Sequence, residues 1–221
     1  MSKKNLLWKK IGCIFSIRNK YDWAVNYSWV PTCQLLNQNG DCKVYFSTRN
    51  QNNLSQTGYI TINLNNPFKL LDISKKPILK LGNLGAFDDS LIVGCSIVSH
   101  NTDQYFYYVG WTQTKKTRYL PHIGLAISND KGKSFSKFSN APLIPLNNED
   151  YLGMASPFVY KDHSIWRLWY ASYRRWEIRK NESWPIYELR YAESKNGIDW
   201  KLFNKNIFKK TKEEAIARPF V

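Results

Sequence analysis

At 221 residues with a formal charge of +15, the chain is long enough to bury the core of one large domain. Its basic residues lie scattered in doublets such as Lys3-Lys4, Lys75-Lys76 and Lys115-Lys116, with no basic helix, zinc module or aromatic RNA motif beside them. That sets nucleic acid aside as a partner.

The first strand-like stretch, residues 8–15, resembles residues 200–208 in opening on Trp-Lys and carrying Ile-Phe. It is broken by Lys9 and Lys10, so it reads as neither a signal peptide nor a span; no other run is long enough to cross a membrane. A short strand then begins at Val30-Pro31, and a turn follows at 37–41. If Asn39-Gly40 is a tight turn, Cys42 faces Asn37 rather than Cys33. The cysteines Cys13, Cys33, Cys42 and Cys95 have no metal-ligand spacing and read as free thiols of a reducing compartment. An aromatic strand at 44–49 and a Gly-Tyr-Ile strand at 58–62 complete the first unit.

The same order returns twice. Tyr45, Tyr107 and Trp169 sit in equivalent aromatic runs 62 residues apart, and the following runs open at Gly58, Gly124 and Arg190, 66 apart. Cys95 stands in the column of Pro31, Pro157 and Pro219. The turns at 128–135 and 194–200 follow the third strand of their units. The first has Asp-box spacing, Ser-x-Asp-x-Gly-x-x-aromatic, and the second is a shortened relative; both read as structural staples, with no catalysis at Asp130 or Asp199. A fixed period built of strands and turns predicts radial all-β repetition about a shared axis. The expected organisation is an all-β five-bladed β-propeller, incomplete here, with about three four-stranded blades plus parts of two. Residues 1–20 would form an outer clasp strand of the last blade, 28–80, 86–146 and 150–210 blades one to three, and 213–221 the start of a fourth.

The segments at 45–49, 84–90, 123–128, 155–157, 166–170, 190–194 and 216–219, in that order, resemble the five-bladed propeller glycosidases of families 43, 32, 62 and 130. Within that group they resemble an uncharacterised bacterial branch linked to surface-glycan biosynthesis. The resemblance implies a carbohydrate substrate and a pair of carboxylates flanking a glycosidic bond. Families 43 and 32 place an Asp before the strand Pro; here those positions hold Val30, Ser156 and Arg218.

The acids nearest the inner strands are Asp88 and Asp89, before Cys95, then Asp150, Glu213 and Glu214, with Asp22 further upstream. Asp88 or Asp89 and Glu177 are the expected catalytic carboxylates, since neighbouring acids can split their pKa values. Arg49, Trp111, Tyr173, Arg174, Arg175, Trp176 and Arg218 are the expected substrate contacts, as guanidinium forks and as aromatic faces for sugar rings. His100, His122 and His163 read as isolated turn or surface residues. No cofactor, metal, nucleic-acid or membrane partner is expected, residence is expected to be cytoplasmic, and the oligomeric state is left open. The leading reading is a glycoside hydrolase-like protein. The alternatives are a non-catalytic carbohydrate-binding propeller, and a sugar phosphorylase or transferase that holds phosphate with Arg174, Arg175 or Arg218.

Overall fold

The computed structural model describes residues 7–208 and 217–221. Among them the protein is all-β, without a helix, and its twelve strands form three successive four-stranded antiparallel units. The first unit is β1 (Asn26–Leu35), β2 (Asp41–Arg49), β3 (Ser55–Asn63) and β4 (Asn66–Ile73). The second is β5 (Leu91–His100), β6 (Asp103–Gln113), β7 (Tyr119–Ser128) and β8 (Ser136–Lys137), and the third β9 (Met154–Asp162), β10 (Ile165–Arg179), β11 (Glu182–Ser194) and β12 (Trp200–Leu202). One parallel bridge, Ser55 to Leu91, joins the first unit to the second.

The inner strands lie side by side, β1 against β5 and β5 against β9. Hydroxyls stitch them together where backbone pairing does not. Thr32 Oγ1 donates towards the Gly94 and Cys95 carbonyls, at 3.3 and 3.2 Å. Ser96 Oγ donates to the Val159 carbonyl at 3.1 Å and accepts from the Val159 amide at 3.0 Å.

The aromatic strands β2, β6 and β10 run through the middle of each unit because large rings with β-branched neighbours suit a pleated surface covered on both sides. Tyr45, Tyr107, Tyr108 and Tyr170 are fully buried. One core lies between the first and second units around Tyr45, Ile92, Phe106 and Tyr108, and another between the second and third around Tyr107, Leu125, Trp166 and Leu168. The position opposite the ring in the third strand is glycine in the second unit, and a Cβ on Gly124 would stand 2.2 Å from the Tyr108 ring. The same place in the third unit holds Arg190, opposite Tyr170.

The turns after β7 and β11 are closed by their own side chains. Asp130 Oδ1 accepts from the Lys133 and Ser134 amides at 2.9 Å each, while Ser128 Oγ accepts from the Gly132 amide at 2.8 Å. Asn196 and Ser194 repeat the pattern. Each turn also locks onto the preceding unit: Lys43 Nζ donates to the Gly132 carbonyl at 3.0 Å and the Tyr107 hydroxyl to the Gly197 carbonyl at 2.8 Å.

Three local expectations are corrected. Residues 7–18 form no strand; Ile14, Phe15 and Ile17 instead lie across the face of the first unit, against Val44, Phe46 and Ile60. The turn at 37–40 is wider than two residues, because the Asn37 side chain accepts from the Asn39 and Asp41 amides, so Cys42 pairs with Leu35. His122 lies on β7 with its ring edge-on to Phe87, and burial pulls its pKa down; His100 ends β5 between Tyr105 and Trp166. Neither is a free surface residue. All four cysteines described are free thiols.

Candidate functional site

Each inner strand carries one extra residue at the Pro column. The register slips between Trp29 and Thr32 on β1, between Gly94 and Ser96 on β5, and between Ala155 and Phe158 on β9. A bulge of this kind bends the strand and re-aims the side chains beside it. Val30, Ser156 and Arg218, each immediately before a proline, all adopt the left-handed backbone with φ of 53°, 52° and 51°. The residue before a proline is already restricted, and a β-branched residue with positive φ is a steric outlier. The conformation therefore recurs three times at one position of the repeat, and backbone strain of this kind concentrates at functional positions.

Beside these bulges lies a cavity of about 780 Å³, bounded by Pro31–Cys33 of β1, 95–99 of β5, 158–161 of β9 and residues 218–221. Its charged side chains are Lys161 and Arg218, and no carboxylate side chain lines it among the described residues. Lys161 Nζ is engaged with His100 Nδ1 at 2.8 Å and lies over the Trp166 ring. Arg218 reaches across to β1, donating from Nη2 to the Pro31 carbonyl and, at 3.3 Å, towards Thr32 Oγ1. Burial pushes the Cys95 thiol up to about 12 and also raises that of Cys33, and the Arg218 charge opposes both shifts. Arg218 and both thiol-bearing residues line the same cavity.

An aromatic cluster adjoins Val30, Cys95 and Ala155. Trp111 stacks on Tyr119, with ring centroids 3.9 Å apart and planes within 4°, and Trp29 meets Trp111 edge-on at 6.3 Å. Trp176 and Tyr173 approach Tyr119 at 5.5 and 6.4 Å, and Arg49 lies 5.3 Å from the Trp29 ring. The structure thus brings together Arg49, Trp111, Tyr173 and Trp176, which come from all three units. The indole N–H groups of Trp29, Trp111 and Trp176 are buried without a protein acceptor. Trp176 reaches the cluster because β10 and β11 extend into a long hairpin, which the second unit holds: Arg118 pairs with Glu182, lies over Trp184 at 4.5 Å, and donates its amide to Ser183 at 3.0 Å.

The expected acids lie elsewhere. Asp88 is 1% exposed, accepts from the Tyr108 hydroxyl at 2.9 Å and pairs with Lys137 at 2.6 Å. Asp150 is fully buried and accepts from Tyr170 at 3.1 Å, from Ser172, and from Arg190 at 3.4 Å. These two arrangements are one device repeated: 62 residues separate the acids and 62 separate the tyrosines. Asp89 closes its own turn, accepting from the Gly85 amide at 2.9 Å and Ser90 Oγ at 2.6 Å. Glu177 lies between Arg179 and Arg175, which pull its pKa down through side-chain hydrogen bonds, so it stays ionised and is ill suited to donate a proton. Arg174 contacts Glu149 and Glu188 rather than the cavity. Glu213 and Glu214 lie outside the described residues.

Trp29, Tyr119 and Tyr187 were not singled out from the sequence, though all three belong to the cluster. The signal for Trp29 was its place directly before Val30-Pro31. That for Tyr119 was its place opening a strand just after Trp111, across a short hairpin.

No protein-family model matches the chain. It is 32% identical over 196 residues to the uncharacterized proteins MT1551 and Rv1502 of Mycobacterium tuberculosis (strains CDC 1551 / Oshkosh and ATCC 25618 / H37Rv), a match that covers 88% of this chain. The chain spans 64% of the length of those relatives. Among solved structures, a thermostable family-43 glycoside hydrolase superposes with a TM-score of 0.55 at 14% identity, covering 82% of this chain and 55% of that one. A structure from the GH130 family of mannoside phosphorylases and β-1,2-mannoside-targeting hydrolases gives 0.57 at 16%, covering 86% and 55%. The chain shares the fold of the propeller-type glycosidases. At these identities the likeness carries the fold and not the chemistry.

Proposed function

We propose that this protein binds a glycan where its inner strands meet, with sugar rings packed on the Trp111–Tyr119–Trp176 cluster and one residue entering the cavity between β1, β5 and β9. The observation that carries this reading is a cluster of aromatic residues from three separate units that packs on Cys95, a wall residue of the cavity, with three indole N–H groups that no group among the described residues accepts from. Sugars present apolar C–H faces that pack on the exposed parts of such half-buried rings. In this reading the three units belong to a five-bladed ring, and the greater length of the relatives is in keeping with it. Recognition of a glycan is the activity that the aromatic cluster and the adjoining cavity support best. Cleavage of a glycosidic bond is the second reading. It is favoured by the fold shared with glycoside hydrolases, and it requires two carboxylates at the bond.

Calorimetric titration of the chain with a panel of oligosaccharides tests the proposal. Trp111→Ala and Trp176→Ala are each expected to weaken binding by about tenfold, corresponding to about 1.4 kcal/mol. Unchanged affinity in both variants would remove the site from the cluster. Turnover of chromogenic glycosides, abolished by substitution of Glu213 or Glu214, would favour the hydrolytic reading.

A further inference from the structure

The lining of the cavity mixes apolar, small polar and basic side chains. Of its lining residues, Thr32, Cys33, Cys95, Ser96 and Ser99 offer small polar groups, and the two ionic ones are cations. Lys161 is committed to His100 and the Trp166 ring. Arg218 is placed differently. Residues 217–221 lie beside β9, where Phe220 meets Phe158 at 5.1 Å, yet the guanidinium spans the mouth to β1 and is fixed there by the Pro31 carbonyl and Thr32 Oγ1. Both contacts use Nη2. Among the described residues no carboxylate comes within ion-pair distance, and Nε and Nη1 have no acceptor.

The Arg218 backbone repeats the left-handed conformation of Val30 and Ser156, so its position is set by the repeat and not by the long side chain alone. A guanidinium held at one nitrogen, with its other edge free beside a cavity, is arranged for an oxyanion with two oxygens in one plane. The equivalent positions in the other units carry no charge: Val30, Gly94 and Ser156. Of the two cations on the cavity, Arg218 is the one that keeps a nitrogen edge without a partner among the described residues.

We infer that the cavity takes a sugar bearing an oxyanion, a carboxylate or a phosphate, and that Arg218 reads that group across the cavity mouth. The inference rests on the glycan-binding reading and names its ligand class. The overall charge of +15 acts in the same direction, raising the local concentration of acidic saccharides.

The test is titration of the 221-residue chain with glucuronate, glucose 6-phosphate, glucose and inorganic phosphate, with Arg218→Gln and Arg218→Lys alongside. Glucuronate or glucose 6-phosphate is expected to bind at least about tenfold more tightly than glucose, and which of the two does so identifies the anion. Arg218→Gln is expected to bring the preferred acidic sugar down to the affinity that the same variant shows for glucose. Arg218→Lys is expected to fall between, since it keeps the charge and loses the fork. The preference should also shrink from about 0.05 to about 0.5 M salt in the unaltered chain. Binding of inorganic phosphate that competes with the acidic sugar supports the assignment of the anion to this pocket. Equal affinity for glucose and the acidic sugars, or a preference that survives Arg218→Gln, overturns the inference and leaves the glycan site standing. Absence of binding by every saccharide overturns both.

Discussion

Replacing Asp150 with alanine separates a structural acid from a catalytic one. Asp150 is fully buried, and its two oxygens serve Tyr170, Ser172 and Arg190, the last with 4% of its side chain exposed. Removing one partner of a buried ion pair costs about 3–5 kcal/mol, and each orphaned buried hydroxyl adds to that. Glu149 and Glu188 remain 3.5 and 3.8 Å from Arg190 and take over part of the charge, so a net loss of about 3 kcal/mol is expected. Asp88→Ala should cost less, about 1.5–2 kcal/mol, because Lys137, with 18% of its side chain exposed, can turn to water and only Tyr108 is left buried without its acceptor. With a urea m-value of about 3 kcal/mol/M, these losses move the midpoint by about 1 M and about 0.6 M. The assay is urea unfolding followed by tryptophan fluorescence and far-UV circular dichroism, with coincident transitions required. A midpoint unmoved in Asp150→Ala, together with lost ligand binding or turnover, would refute the reasoning and make Asp150 a site group.

Two further outcomes follow from the titrating groups. Hydrogen bonds from Ser134 and Ser128 hold the Asp130 carboxyl well below the usual carboxylate range. Its contribution to stability is therefore complete above the unfolded value near 4 and is lost as pH falls through the lower folded value. The difference between the unaltered chain and Asp130→Ala should be full at neutral pH and shrink in acid below about pH 4; a constant difference across that range would show that the turn does not depend on the ionised carboxylate. Burial pushes the Cys42 thiol up to about 11 and the Cys95 thiol up to about 12, whereas Cys13 is exposed. Alkylation near pH 8 should mark Cys13 first, Cys33 more slowly, and Cys42 and Cys95 only on unfolding, as mass spectrometry would read directly. Early labelling of Cys95 would mean that the cavity wall opens.

The repeat was readable because its physical requirements are local. Aromatic strands, glycine turns and the residue before each proline recur at fixed spacing, and the described residues form three four-stranded units. The aromatic cluster was legible in part for the same reason, since Trp111, Tyr173 and Trp176 lie on the aromatic strands β6 and β10. The surroundings of the acids were not legible because sequence position does not reveal which way a loop carboxylate turns. Asp88 and Asp150 face into their own units, and the partners that decide this, Tyr108 with Lys137 and Tyr170 with Arg190, lie on other strands. The regular spacing of 20 residues from acid to tyrosine in both units was the available clue. The partners of Glu177 were within reach of the sequence. Arg175 and Arg179 at two-residue spacing share its strand face, and alternation alone places all three together.

The Ser55–Leu91 bridge and the hydrogen bond from the Ser55 amide to the Ser90 carbonyl are the backbone links between the first two units. Cohesion from one unit to the next thus falls mainly to rings and hydroxyls, whose contacts can slide before any ladder breaks. A molecule made this way should loosen leaf by leaf, and amide deuteration should overtake the seam at Ser55 well before the middle of each sheet. A ligand that bridges several leaves would slow that seam, so exchange there offers a way to watch occupancy without knowing the ligand's name.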